Sequence, residues 1–253
     1  MSLQAICWEN ACQSKYGGNC LILNGRTVWK GKGENKTVDR KNGQHELAEL
    51  TIPTWTHARE AIQAVRTAEA LKLLENARVE SEKNNDVLTS FLEQVLTHVA
   101  NLGEEEVEKV IRQRYHQPVR DFLSTSPGVM EILKRCTESQ RRHLGNFTVS
   151  EEPDRYVVKF DPCGTGGRLR RTRSVGTTKK AYPWSWGKAG VPYYCCHCCI
   201  HWEIIPTEVR GYPNKIVLVG DRPEDPCVHL FYKKPELIPE EYFKRIGKTK
   251  AIK

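Results

Sequence analysis

The chain has 253 residues, with 39 Lys and Arg against 31 Asp and Glu and a formal net charge of +8. That length holds one large domain or two modest ones and buries a core without disulfide staples. No run approaches the roughly 18 apolar residues of a membrane helix, and Met1-Ser-Leu-Gln-Ala-Ile-Cys7 lacks the basic start and apolar core of a signal peptide, so a cytoplasmic protein with no membrane partner is expected.

Residues 1–50 show no periodic element and are rich in Gly, Asn and Lys. Their cysteines, Cys7, Cys12 and Cys20, match no common metal-site spacing, and the segment reads as an irregular extension. Residues 51–146 form a helical region. Ala61, Val65, Ala68, Leu71 and Leu74 recur at helical spacing, and Leu88, Leu92, Val95, Leu96 and Val99 make a second stripe with Asp86 as its N-cap. Gly103 closes that helix. Glu104-Glu105-Glu106 suits the first turn of a third helix, carrying Val107, Val110, Ile111 and Tyr115. Pro127 opens a last helix with Ile132, Leu133 and Cys136, ending near Gly145. The apolar stripes are expected to be core.

Residues 147–253 form a cysteine-rich α+β domain. Arg155 to Phe160, Asn214 to Val219 and Cys227 to Tyr232 read as strands. Residues 163–193 are loop-rich, Tyr194 to Glu208 is ambiguous, and Pro239 to Ile246 is a short helix. The expected fold is α+β: a helical N-terminal half followed by a small antiparallel-sheet α+β domain.

Ten cysteines in a reducing compartment are core, metal ligands or reactive thiols rather than disulfides. The densest run is Tyr193-Tyr-Cys-Cys-His-Cys-Cys-Ile-His-Trp-Glu203. On a helix, Cys195, Cys198, Cys199 and Trp202 share a face and His197 pairs with His201; on a strand, Cys195, His197, Cys199 and His201 align. Such donors suit zinc, Cu(I) or iron–sulfur clusters. Zinc is the expected metal, with Cys195, Cys198, Cys199, His197 and His201 as candidate ligands, although the spacing is not that of a two-knuckle zinc site. The other chemistry open to the segment is nucleophilic catalysis by a cysteine beside a histidine, with Glu203 or Glu208 orienting the imidazole.

Three further segments add candidates. In Phe160-Asp-Pro-Cys-Gly-Thr-Gly-Gly-Arg-Leu-Arg-Arg171, a glycine-rich loop after a strand can cradle an anion, with Cys163 at its start and Arg168 or Arg170 to grip a carboxylate. Trp184 and Trp186 can line a pocket. Cys227 and His229 share one face of the last strand. Basic residues between Arg168 and Lys180 come without any nucleic-acid-binding module, so the expected partner is a small anion rather than nucleic acid. A homo-oligomer is left open.

The C-terminal half also resembles a known family. A strand ending near Cys163, a cysteine-rich segment closed by Gly211, and Gly220-Asp-x(5)-Cys227-x-His229-x-Phe231 resemble the L-2-amino-thiazoline-4-carboxylate hydrolase-like proteins and, more distantly, the 4-vinyl-reductase sensor domains. The resemblance covers about residues 150–235. It implies a helical cysteine segment, with Cys195 and Cys227 as matching positions and Cys163 and His197 as neighbours. It further implies a small-molecule hydrolase or lyase acting on the C–N or C–S bond of a carboxylate-bearing sulfur/nitrogen compound. Catalysis would fall to Cys195, Cys163, Cys227 or His197, and substrate binding to Arg168, Arg170, Trp184 and Trp186. The distant resemblance implies the alternative, a metal- or ligand-binding sensor without turnover.

Overall fold

The computed structural model describes residues 20–23, 26–29 and 51–251. Two compact units divide the chain, residues 1–57 and 58–253. In the first, β1 (Cys20–Leu23) and β2 (Arg26–Trp29) form an antiparallel ladder with Cys20 opposite Trp29. Cys7 and Cys12 lie outside the described residues.

Helix α1 (Thr54–Gln63) ends just before Val65, a β-branched residue in the left-handed region at φ 59°. The expected stripe is therefore broken there, and α2 (Thr67–Ala100) begins as a new helix of 34 residues. Asp86 is not an N-cap, because α2 runs straight through it. The polar stretch before it is built from good helix formers, and Arg78 bridges Glu75 at 2.8 Å and Glu82 at 2.9 Å on the helix surface. Leu71, Leu74, Leu88, Leu92 and Val95 are exposed rather than core; only Ala70, Leu96 and Ala100 among the apolar residues of α2 are buried.

Helices α3 (Glu104–Ser124) and α4 (Val129–Arg142) follow. Strands β3 (Phe147–Glu151), β4 (Arg155–Phe160), β5 (Ile216–Leu218) and β6 (Cys227–Tyr232) make one antiparallel sheet in the order β3-β4-β6-β5. The fold is α+β, with the helices first and the sheet in the C-terminal part. The loop-rich stretch contains one short helix, α5 (Gly166–Thr172). The ambiguous segment is helical: α6 (Cys196–Cys199), a π-helical turn (Ile200–Ile204) and α7 (Ile205–Arg210) form one continuous rod. Pro206 lies inside that rod, and the Trp202 carbonyl that an N–H at this position would have met accepts from the Asn214 N–H at 2.9 Å instead. Helix α8 (Glu240–Lys244) closes the chain.

The cysteine rod packs between the helices and the sheet. On one side Cys196, Cys199, Ile200 and Ile204 share a core with Leu96 of α2 and Val107 and Ile111 of α3. On the other, Trp202 joins Ile132, Leu133 and Cys136 of α4 and Val158, Phe160 and Phe231 of the sheet. A fully buried side chain such as Phe231 contributes about 1.5–3 kcal/mol. The helical and cysteine-rich regions therefore stabilise each other as one unit. Among the described residues, no helix is long and apolar enough to cross a membrane.

Candidate functional site

The position of the cysteine rod is set by buried carboxylates. Glu93 of α2 accepts hydrogen bonds from the backbone N–H of Gly176 and of Tyr194, both at 2.9 Å. Glu104, at the start of α3, accepts from the Lys179 N–H and the Tyr193 hydroxyl at 2.7 Å and from the Tyr182 hydroxyl at 2.8 Å. These bonds fix the approach to the rod at Tyr193-Tyr194. Glu203, in the π-helical turn, is fully buried and accepts from Trp186 Nε1 (2.7 Å), Val217 N–H (2.8 Å) and Arg245 (2.9 Å). It orients no histidine. Glu208 likewise pairs with Arg112 and Lys248.

A chamber of about 330 Å³ lies between the rod and the sheet. The rod supplies Cys195, His197, Cys198, His201 and Trp202 to its wall; β6 supplies Cys227 and His229. Cys136 comes from α4, His143 from just beyond it, Cys163 from the link between β4 and α5, and Lys215 from the approach to β5. Five thiols and four imidazoles thus face one space, and Lys215 is the sole lysine, arginine or carboxylate residue lining it. Volumes of this size suit small ligands.

Two glycines make the enclosure possible. A Cβ on Gly164 would stand 2.2 Å from the His143 carbonyl oxygen, and one on Gly166 would stand 2.7 Å from Cys195 Sγ. The glycine-rich loop exists to pass close to α4 and the cysteine rod. The Gly167 N–H donates to Cys163 Sγ at 2.9 Å, so that amide is spent on a thiol rather than on an anion.

Cys198 Sγ lies 3.5 Å from His197 Nε2. His197 Nδ1 sits on the Tyr194 carbonyl oxygen, which can only accept, so Nδ1 carries the proton and Nε2 is the basic nitrogen. His143 is oriented in the same way. Asn85 donates through Nδ2 to the Gly164 carbonyl, turning its Oδ1 to His143 Nδ1 at 2.7 Å. His201 is stacked on Tyr115, with ring centroids 4.3 Å apart. His229 Nδ1 and Cys136 Sγ each lie 3.0 Å from Lys215 Nζ, which also sits 4.0 Å above the Trp202 ring.

Burial sets the resting charges. It pushes the thiols of Cys163, Cys195 and Cys198 up, and Cys227 up to about 12. It pulls the imidazoles of His143, His197, His201 and His229 down, with the Lys215 charge adding to the fall at His197, His201 and His229. Cys198 and His197 therefore rest as a neutral thiol and a neutral imidazole rather than as a thiolate–imidazolium pair.

The structure brings Cys163, Cys195, Cys198, Cys227, His197 and His201 together, and the helical alternative for the cysteine segment holds. It separates Cys199, which points the other way and donates to the Pro183 carbonyl at 3.5 Å. One further residue along a helix is about 100° around it, which carries Cys199 past the chamber into the core. The five expected metal ligands do not converge: among the described residues no group of three or more His, Cys, Asp and Glu is arranged to hold a metal ion.

The four expected substrate-binding residues do not line the chamber. Arg168 pairs with Asp86 at 2.9 Å and donates to the Leu144 carbonyl. Arg170 donates to the carbonyls of Gly220 and Asp225 and so fastens α5 to the turn before β6. Trp184 is core, stacked on Tyr182. Trp186 holds a left-handed backbone (φ 56°) and spends its indole N–H on Glu203. Against these, sequence reasoning missed Cys136, His143 and Lys215. Cys136 and His143 stand seven residues apart with Ser139 and Gln140 between them, a helical stripe that faces the chamber, while nothing local marks Lys215.

Compared with family models, curated proteins and solved structures, the chain has no significant match.

Proposed function

We propose that the protein is a cysteine-dependent hydrolase or lyase of a small carboxylate-bearing sulfur/nitrogen compound, with Cys198 as nucleophile and His197 as its base. The observation that carries this reading is the relay from the Tyr194 carbonyl through His197 to Cys198 Sγ, on the wall of a ligand-sized chamber. A base oriented by a third group and within reach of a thiol is the arrangement that activates a nucleophile. Both groups rest neutral, so the proton moves from Sγ to Nε2 only as sulfur attacks the substrate carbon. The imidazolium then returns that proton to the departing nitrogen or sulfur, and water releases the acyl group from Cys198. The nearby Lys215 charge favours the thiolate as it forms. Cys163, Cys195 and Cys227 then shape the chamber and exclude water from the other side of the substrate. The resemblance in the Cys227 strand and the cysteine segment agrees with this substrate class.

The test uses 2-amino-thiazoline-4-carboxylate and related thiazolidine and amide acids, with release of a free thiol or amine as the readout. Turnover should fall at least ~100-fold in Cys198→Ala and in His197→Asn. Wild-type turnover in Cys198→Ala would remove the assigned nucleophile. Saturable binding without turnover in the wild type would favour the sensor reading instead.

A further inference from the structure

We infer that Lys215 is the anion anchor of the chamber: its ammonium holds the ligand's acid group, the role that neither Arg168 nor Arg170 fills. The inference deepens the reading of the chamber as a ligand site and rests on it, but not on which cysteine reacts.

Lys215 is 2% exposed, a rare state for a lysine. Its Nζ has Cys136 Sγ and His229 Nδ1 at 3.0 Å and the Trp202 ring at 4.0 Å. None of these is a carboxylate, and no Asp or Glu lines the chamber. A buried cation ordinarily has a counter-charge, because removing it from water is otherwise expensive. Buried Glu203 has Arg245 as its counter-charge, and buried Glu93, which has no cation, is held instead by three hydrogen bonds. At Lys215 the protein supplies position but no carboxylate. Cys136 and His229 accept from the ammonium and aim it; Trp202 supports it from one face. A ligand carboxylate would complete the pair beside a buried ammonium, where such an interaction is stronger than in bulk water.

This placement also fixes the ligand's orientation. Lys215 and Cys198 both line the chamber, and the Lys215 charge reaches Cys198 through space. A compound with its acid group on Lys215 therefore presents the rest of its skeleton to the Cys198–His197 relay. The substrate class narrows to small acids with an electrophilic carbon a few bonds from the carboxylate. A neutral amide or ester of the same skeleton would lose its hold.

The experiment compares iodoacetate with iodoacetamide, reagents of nearly equal size that differ in charge. Alkylation of each chamber cysteine is followed by mass spectrometry in the full-length protein, and thermal shifts are recorded with 2-amino-thiazoline-4-carboxylate and its carboxamide. In the wild type, the rate ratio of iodoacetate to iodoacetamide at a chamber cysteine should exceed the ratio for free cysteine by roughly tenfold or more. Lys215→Gln should abolish that preference and slow both reagents, since the charge that favours the thiolate is lost, so the ratio and not either rate is read; Lys215→Arg, which keeps the charge, should retain part of the preference. The carboxylate should raise the melting temperature of the wild type and not of Lys215→Gln.

An equal ratio in wild type and Lys215→Gln overturns the inference, as does stabilisation by carboxylate and carboxamide alike. If Lys215→Gln fails to fold, the wild-type ratio and the Lys215→Arg variant still decide the question. If Cys198 resists both reagents while the carboxylate stabilises the protein through Lys215, the nucleophile assignment fails and the anchor stands. Reductive trapping of glyoxylate on Lys215 by cyanoborohydride would overturn the anchor in favour of an amine nucleophile.

Discussion

The two sides of the cysteine rod treat buried polar groups in opposite ways. Away from the chamber, every buried carboxylate among the described residues is fully engaged: Glu93 of α2, Glu104 of α3 and Glu203 of the rod, the last held by Trp186, Val217 and Arg245, each accept three or more hydrogen bonds. On the side facing the sheet, thiols and imidazoles line an open chamber, and the one buried ammonium has no carboxylate. Complete satisfaction is what a fold requires of its interior. The incomplete satisfaction across the rod is a property of a place built to receive something. The same helix thus carries a structural face and a chemical face, only a fraction of a turn apart.

The sharpest way to break this comparison is at Glu203. Glu203→Gln removes the charge facing partly buried Arg245 while keeping the shape. Burial already pushes the Glu203 carboxyl up, with Arg245 opposing that rise. Removing one partner of a buried pair costs about 3–5 kcal/mol, so a large fall in the denaturation midpoint is expected, with the thiol chemistry of any folded fraction intact. A loss below about 1 kcal/mol would place Glu203 among the weak pairs typical of exposed sites and would erase the contrast between the two faces.

How much of this was legible in the sequence follows from the same geometry. Alternation and flanking turns marked β4 and β6, and the shared-face argument put Cys227 with His229. Helical periodicity placed α3 and α4. The length of α2 was not legible, because Glu75 to Asp86 reads as a polar interruption although those residues hold the helix through surface ion pairs. The thiol and imidazole side chains of the rod could be grouped from spacing alone, but Cys199 could not be told from Cys198 without knowing which side faced the core. The arginines after Cys163 were misread because sequence shows a charge without its partner. Here Asp86 and the carbonyls of Leu144, Gly220 and Asp225 take up Arg168 and Arg170. Lys215 was silent, being a single basic residue ahead of a short strand.

The pH dependence of stability sharpens the comparison from the chamber side. Burial lowers the pKa of His143, His197, His201 and His229 below the ordinary histidine value of about 6.5. In the unfolded chain these imidazoles take up protons as pH falls through about 6.5, while in the folded chain they resist. The unfolded state therefore binds more protons below that pH, and stability falls on acidification. Each such histidine contributes up to about 1.4 kcal/mol per pH unit. Denaturant titrations from pH 7.5 to 5 should show a steep loss that is reduced in His201→Phe. A flat profile would mean that the imidazoles are open to water in the folded protein.

The smallest expected effect is the most selective. Cys199→Ala removes one buried sulfur from the core that the rod shares with α2 and α3, and should cost on the order of 1 kcal/mol through the small cavity left behind. Turnover and alkylation of the chamber thiols should be unchanged, because Cys199 donates to the Pro183 carbonyl and lies outside the chamber wall. Cys198→Ala should do the reverse, removing turnover with little change in the denaturation midpoint. Neighbouring cysteines on one helix would then report separately on packing and on chemistry. If the two substitutions instead produced the same mixture of lost stability and lost turnover, the rod would not divide the molecule into two faces. Cys198 would then be another packed thiol whose nearness to His197 is incidental.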